Sequence, residues 1–330
     1  MRPPTITDRG RAVAANALDA VLELSVVGSF SRVGFLARRA TQDWPDPPRM
    51  DGRTALVTGA SSGIGRAIAE GLAERGADLV LGGRDADRLA EVARAVRARG
   101  VNARTWRVDL RDGAAIDDAA RRLADDLERL DVIVHSAGAL LAHYATDVDG
   151  LEATVATHVV APFRLTWLMR ERLAESGAAT IVTVSSGGMY TQSLNLDTLE
   201  MSPDRYRGVT AYARAKRAQV TLAHEWSRRW AAVGVRSYVM HPGWANTPGL
   251  TESLPRFSRL ERLWRQPAEG ADTAVWLASG VAGTRGTRNG IWLDRRLRPE
   301  HRLPWTRWRH APSGDDLWAW CAARSGLPEE

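Results

Sequence analysis

The sequence predicts an α/β fold: a doubly wound parallel sheet in one domain, preceded by an N-terminal helical extension. Three observations carry this. Short, continuously apolar runs alternate with longer helical segments, the pattern of parallel strands covered on both faces. A glycine-rich turn, Thr58–Gly65, joins the first such run to the first helix. Across its 330 residues the chain is 44% hydrophobic and 25% charged, proportions that exclude collagen-like, wholly disordered and multi-span membrane classes.

Residues 1–50 read as the extension. Ala14–Leu36 is apolar but carries Asp19, Glu23 and Arg32, which argues against a spanning helix and a cleaved signal. Leu18, Val21, Leu22 and Ser25 show helical spacing. A helix packed on the main domain fits this better than a membrane-surface or lid helix, which stays open. Trp44-Pro45-Asp46-Pro47-Pro48 breaks the chain as a linker.

Residues 51–330 form the main domain. Strands are expected at Thr54–Thr58, Asp78–Gly82, Val101–Asp109, Asp131–His135, Thr180–Ser185, Val235–His241 and, as a short last strand, Gly290–Leu293. Helices are expected at Ile64–Arg75, Asp85–Arg99, Asp112–Leu130, Leu151–Ala174, Thr210–Ala232 and Ala268–Ser279. Two stretches break the alternation, 187–209 and 247–267. Both follow the C-terminal ends of strands, where open α/β sheets bind ligands, and are read as substrate loops. Their apolar residues, among them Met189, Tyr190, Leu194, Leu199, Met201 and Phe257, with Trp244 just beyond strand six, suggest a greasy ligand, or loops packed on themselves or on a partner subunit. The tail 294–330 sets Trp305, Trp308, Trp318 and Trp320 among arginines, which suits an interface, a membrane surface or a pocket cover.

One cysteine, Cys321, leaves no intrachain disulfide and no cysteine-based metal site. It points to a reducing, cytoplasmic compartment, with a membrane-peripheral location left open. The net charge is +6, yet arginines are spread along the chain, and no nucleic-acid partner is expected. Of the 45 basic residues only Lys216 is lysine. Where charge alone matters, arginine and lysine interchange; where a compact ammonium must fit, they do not. That singles out position 216.

The turn Thr58-Gly59-Ala60-Ser61-Ser62-Gly63-Ile64-Gly65 lets backbone approach a pyrophosphate at a helix N-terminus. Arg84, 19 positions after Gly65 and at the end of strand two, suits a ribose 2′-phosphate. NADP(H) is therefore expected ahead of NAD(H), which the adjacent Asp85 keeps open. Asp109 and Leu110 end strand three, with Asp109 placed for an adenine amino group or for a helix start. Ser136-Ala137-Gly138 ends strand four, its glycine letting a ribose lie against backbone.

Tyr212 and Lys216 stand four apart on one helix, hence on one face. A phenol of pKa near 10 is a poor base at neutral pH. A neighbouring ammonium favours the phenolate, so the tyrosine can exchange a proton with an alcohol or carbonyl. Ser185 and Ser186 close strand five, where a hydroxyl can hold a substrate oxygen or cap a turn.

Together these residues resemble the short-chain dehydrogenase/reductase family over roughly Gly52 to Leu293. The family's TGxxxGIG is met at Thr58–Gly65, its YxxxK at Tyr212 and Lys216, and its PG at Pro242-Gly243. The resemblance implies a Rossmann fold, with Ser186, Tyr212 and Lys216 catalytic. It also puts Pro242, Gly243 and Thr247 against the nicotinamide end of the cofactor. The long Ser186–Tyr212 spacing, VSSGGM at Val184–Met189 and HPGWANTPG at His241–Gly249 look most like the retinol-dehydrogenase-like branch. The implied partners are small hydrophobic alcohols, aldehydes or ketones, with a homodimer or homotetramer and a peripheral membrane contact as open expectations.

Two positions depart from the family pattern. Ser136 replaces an Asn after strand four. His158 falls where the family carries an Asn that positions a water in a proton relay to the lysine. An imidazole can bind water or pass protons, so His158 is a candidate relay residue, or else a packed helix residue. The expected function is an NAD(P)(H)-dependent oxidoreductase moving a hydride between nicotinamide and a hydrophobic substrate. The alternative is a cofactor-binding sensor or scaffold with weak catalysis. A sugar-nucleotide epimerase is disfavoured by the glycine spacing.

Overall fold

Three helices come first among the described residues: α1 (Ile6–Glu23), α2 (Val26–Phe30) and α3 (Arg32–Thr41). The computed structural model describes residues 6–246, 262–280, 290–307 and 311–329. Strand β1 (Thr54–Thr58) is followed by α4 (Gly63–Glu74), β2 (Asp78–Gly83), α5 (Ala86–Arg97), β3 (Ala103–Arg107), α6 (Gly113–Asp126) and β4 (Val132–His135). The later strands are β5 (Thr180–Val184), β6 (Arg236–Met240), β7 (Ile291–Leu293) and β8 (Arg296–Arg298). Among the described residues the strands form one eight-stranded sheet, ordered β3-β2-β1-β4-β5-β6-β7-β8. All pairings are parallel except the last, β7 with β8.

The central strands are mostly apolar because both faces are covered; β4 and β5 are buried along their whole length. One face packs Ile68 and Leu72 of α4, Val92 and Val96 of α5 and Leu277 of α11 (Pro267–Ala278). The other packs α6, α8 (Ala161–Leu168), α10 (Gly208–Arg229) and α12 (Gly314–Ser325). Register brings the loops together, since Thr58 lies opposite both Gly82 and His135. The strand order reverses between β1 and β4, so their C-terminal ends open a crevice.

The helix expected at Leu151–Ala174 is not continuous. It runs as α7 (Ala153–Val155), a π turn over Ala156–Val160, α8 and α9 (Arg170–Glu175). Such single wide turns occur frequently at functional sites, and this one contains His158. Gly290–Leu293 is not the end of the sheet either, because a tight turn at Asp294-Arg295 returns the chain as β8. The tail then forms α12, whose Ser313 and Asp316 cap each other's backbone. Trp318 of α12 packs edge-on against Phe163, with Arg229 over its ring at 4.3 Å. Trp305 stays exposed, and Trp308 lies outside the described residues.

The N-terminal helices pack on the domain through buried charge. Arg38 donates to Asp19 at 2.7 Å and to Asp294 at 2.6 Å. Arg265 donates to Asp294 at 2.6 Å and to the Phe30 carbonyl at 3.0 Å. Arg298 meets both oxygens of Asp19 at 2.8 Å. These bonds set Phe30 behind the crevice. Its ring meets His241 edge-on with centroids 4.6 Å apart, and its carbonyl accepts from the Trp244 amide at 2.8 Å. Among the described residues no helix is long and apolar enough to cross a membrane.

Candidate active site

The crevice is a cavity of about 610 Å³ at the C-terminal ends of β1 to β6. Thr58, Gly59, Ser61, Ser62, Gly63, Ile64 and Gly65 line its floor. The Thr58 hydroxyl ties two strand ends together, accepting from the Ser136 and Ala137 amides at 3.2 Å each. Gly59 has φ +69, and a side chain there would meet the Ala137 Cα at 2.7 Å. A Cβ on Gly65 would lie 2.2 Å from the Gly59 carbonyl oxygen. Only glycine permits this closeness. Ser62 sits at the start of α4 with extended backbone and forms no side-chain cap, so the helix's first amides and positive dipole end are left for a ligand. The cradle therefore fits an anionic pyrophosphate.

Around the rim, Arg84 is exposed at the end of β2 and lines the cavity. The Asp85 carboxylate is used elsewhere, capping α5 by accepting from the Arg88 amide at 3.0 Å. Asp109 and Leu110 line the wall beyond β3. Burial raises the Asp109 carboxyl, but hydrogen bonds from the Arg111 side chain and amide outweigh it and hold the group below the usual carboxylate range. Ser136, Ala137 and Gly138 follow β4 along the cavity. A Cβ on Gly138 would strike the His158 ring at 2.0 Å. Pro242 and Gly243 line the far side, and Thr247 lies outside the described residues.

Ser186, Tyr212, Lys216 and His158 meet in the cavity lining. The two serines divide their roles. Ser185 donates to the Lys216 carbonyl at 2.9 Å and fastens β5 to α10. Ser186 accepts from the Gly188 amide at 3.2 Å and lies beside the Tyr212 phenol. Burial raises that phenol above its usual pKa, with the Ser186 hydroxyl working against it. Lys216 is buried, and its Nζ lies 5.4 Å from the Tyr212 ring centroid. It donates to the Val184 carbonyl at 2.8 Å and to the Gln219 Oε1 at 3.0 Å. Burial lowers its pKa to about 7. The ammonium thus faces the ring of Tyr212, and burial rather than its charge dominates the phenol.

The His158 Nε2 is 3.0 Å from the Ala139 carbonyl, so it carries the proton and donates. The Nδ1 is buried without a partner among the described residues. Burial, then the charge of Lys216, pushes the imidazole down to about 3, leaving it neutral. Its ring meets Tyr212 edge-on at 5.3 Å. The Nε2 proton is thus committed to Ala139 while Nδ1 keeps its lone pair, and a link from this turn to Lys216 runs through its backbone: Gln219 Nε2 donates to the His158 carbonyl at 2.7 Å. Gln219 was not among the sequence candidates. Its signal was slight, an amide one turn beyond Lys216 between Ala218 and Val220.

Of the apolar residues expected in 187–209, Met189, Tyr190, Leu194, Leu199 and Met201 do not line the cavity, whereas Val209 does. Met189, Tyr190, Leu194 and Leu199 are buried in the main core, the packing alternative for that loop. The cavity's apolar wall comes instead from Leu140, Leu141, Val209 and Trp244. Leu250, Leu254, Phe257 and Leu260 lie outside the described residues.

Residues 53–256 match the family model described as short chain dehydrogenase. The chain is 40% identical over 253 residues to a Streptomyces sp. (strain C5) protein named "Putative daunorubicin C-13 ketoreductase DnrU", covering 76% of this chain and 86% of that one. It is 31% identical over 240 residues to retinol dehydrogenase 11 of Mus musculus, covering 70% and 74%. Among solved structures it is similar to a 3-oxoacyl (acyl-carrier-protein) reductase from Agrobacterium tumefaciens C58 with NADP bound. There the TM-score is 0.58 at 26% identity, over 70% of this chain and 88% of that one.

Proposed function

The chain belongs to the short-chain dehydrogenase/reductase family and is an NAD(P)-dependent oxidoreductase of CH–OH or carbonyl groups; from that premise we propose that it reduces hydrophobic ketones or aldehydes with NADPH, using Ser186, Tyr212 and Lys216. The observation that carries the reading is the meeting of these three side chains in the lining of a cavity floored by the glycine cradle.

A nicotinamide cofactor held by the Thr58–Gly65 cradle would supply or accept the hydride at the substrate carbon. The protein's own groups handle the oxygen and the proton. Ser186 holds the substrate oxygen as charge develops on it. Tyr212, kept neutral by burial, is in the state that donates a proton to that oxygen. The Lys216 ammonium favours the phenolate left behind.

NADP(H) is supported by the division of labour at the end of β2. Asp85 is engaged as a helix cap while Arg84 stands at the rim, suited to a 2′-phosphate rather than a 2′-hydroxyl. The hydrophobic substrate is supported by Leu140, Leu141, Val209 and Trp244 and by a relative whose name specifies retinol.

The test is oxidation of NADPH and NADH by the purified chain against a panel of apolar ketones and aldehydes. Apolar compounds should turn over, and NADPH should be preferred by about tenfold or more, the size of one charge-assisted contact. Arg84→Ser should erase that preference. Equal use of both cofactors by the unaltered chain would remove the NADP(H) assignment, and turnover confined to small polar carbonyls would remove the substrate class.

A further inference from the structure

Lys216 is a buried amine, and no carboxylate forms an ion pair with it among the described residues. Burying a cation without an anion is costly, so its hydrogen bonds decide where and whether it stays charged. The Val184 carbonyl at the end of β5 supplies one acceptor and the Gln219 Oε1 the other. Gln219 is itself 2% exposed. Its amide has two ends and both are engaged: Oε1 on the ammonium at 3.0 Å, Nε2 on the His158 carbonyl at 2.7 Å. That second anchor lies inside the π turn, where the wider winding shifts the carbonyls off the regular helical ladder. The position expected to hold a relay asparagine therefore reaches Lys216 by a different route, through its main chain and a glutamine from the lysine's own helix.

We propose that Gln219 is a positioning residue of the oxidoreductase reaction, its amide bridging the His158 carbonyl to the Lys216 ammonium and holding that cation at Tyr212. This deepens the proposed function and rests on it. The bridge fixes which groups surround the ammonium. On α10 the facing titratable group is Tyr212, on the π turn it is His158, and β5 presents the Val184 carbonyl and Ser185. With those surroundings neutral, the glutamine carbonyl is one of two dipoles that stabilise the charged amine. Removing it makes the amine easier to deprotonate, and replacing it by a carboxylate makes it harder.

Because Lys216 is the only lysine in the chain, selective carbon-13 labelling of lysine gives one side-chain resonance, whose pH titration reports this amine with neither cofactor nor substrate present. Gln219→Leu is expected to lower the titration midpoint by at least about one unit, and Gln219→Glu to raise it. In turnover assays Gln219→Leu should lower kcat by about tenfold with KM nearly unchanged, the alkaline limb of the pH profile moving down with the amine. Midpoints equal to that of the unaltered chain in both variants would overturn the proposal, including when stability falls, since a packing role alone moves stability and not this titration. If no carbonyl compound turns over while the midpoints still move in opposite directions, the bridge stands and the proposed substrate reading fails.

Discussion

Arg38 and Lys216 are both buried cations, yet their partners differ in kind. Arg38 is enclosed by carboxylates: Asp19, Glu23 and Asp294, the last shared with Arg265. Lys216 is enclosed by two neutral carbonyl oxygens and a phenol ring. The first arrangement satisfies charge with charge and fixes it. The second leaves an amine whose pKa has come down to about 7, where proton and charge remain adjustable. Both cost desolvation. In one region that cost is offset by ion pairs that fasten the N-terminal helices to the sheet, and in the other it yields a group able to influence a proton transfer.

The largest expected effect breaks the first region. Asp294 is 1% exposed and bonded to both Arg38 and Arg265. It sits in a two-residue turn with φ +51 at Asp294 and +56 at Arg295, a conformation that usually calls for Asn or Gly. Asp294→Asn suits that backbone but leaves two buried guanidiniums short of negative charge. A loss of about 3–5 kcal/mol is expected, measured by denaturant unfolding, with the single-lysine titration unmoved in the folded variant.

A smaller, graded effect separates the regions by pH. His135, His158 and His241 are buried and held neutral, the first two at about 3 and the third well below its usual range, with burial the leading cause in each. The unfolded chain takes up protons on them below about 6.5 while the folded chain does not, so stability falls with decreasing pH from about 6.5 toward 3. Each contributes roughly 1 kcal/mol per pH unit in that window. Asp19, opposed by burial but held low by Arg298 and Arg38, adds stability that is lost only below its unfolded value of 3.8. Unfolding free energy followed across pH should therefore decline in two stages, histidines first. A curve flat from pH 6.5 to 4 would contradict the burial assigned to the histidines.

The same contrast explains what the sequence made legible. The parallel strands and their order of appearance were readable because burial on both faces forces uninterrupted apolar runs, as in TALVT and TIVTVS. The glycine cradle and the Tyr212–Lys216 pair were readable because their spacing is local. The π turn was not, since one extra residue in a short buried helix hardly alters the apolar pattern. The β7–β8 hairpin was hidden because Asp294-Arg295 lacks a typical turn pair, its aspartate serving the charge cluster instead. Helix α12 did have a signal, Ser313 with Asp316 ahead of a helical run, obscured by the tail's tryptophans, of which Trp318 proved to be a packing group. Gln219 was hidden for a further reason. Its importance lies in a bond to the backbone of another helix, 61 positions away, and no spacing rule reports that.

The most direct test of the account is Tyr212→Phe, with NADPH affinity and turnover measured on the same preparation. The substitution removes one hydroxyl and leaves the glycine cradle, Arg84 and the Lys216 bonds in place. Affinity should change by less than about threefold while kcat falls by about 10²–10⁴-fold, the usual contribution of a positioned acid. Undiminished turnover in a variant that still binds NADPH would contradict the claim that this phenol moves the proton.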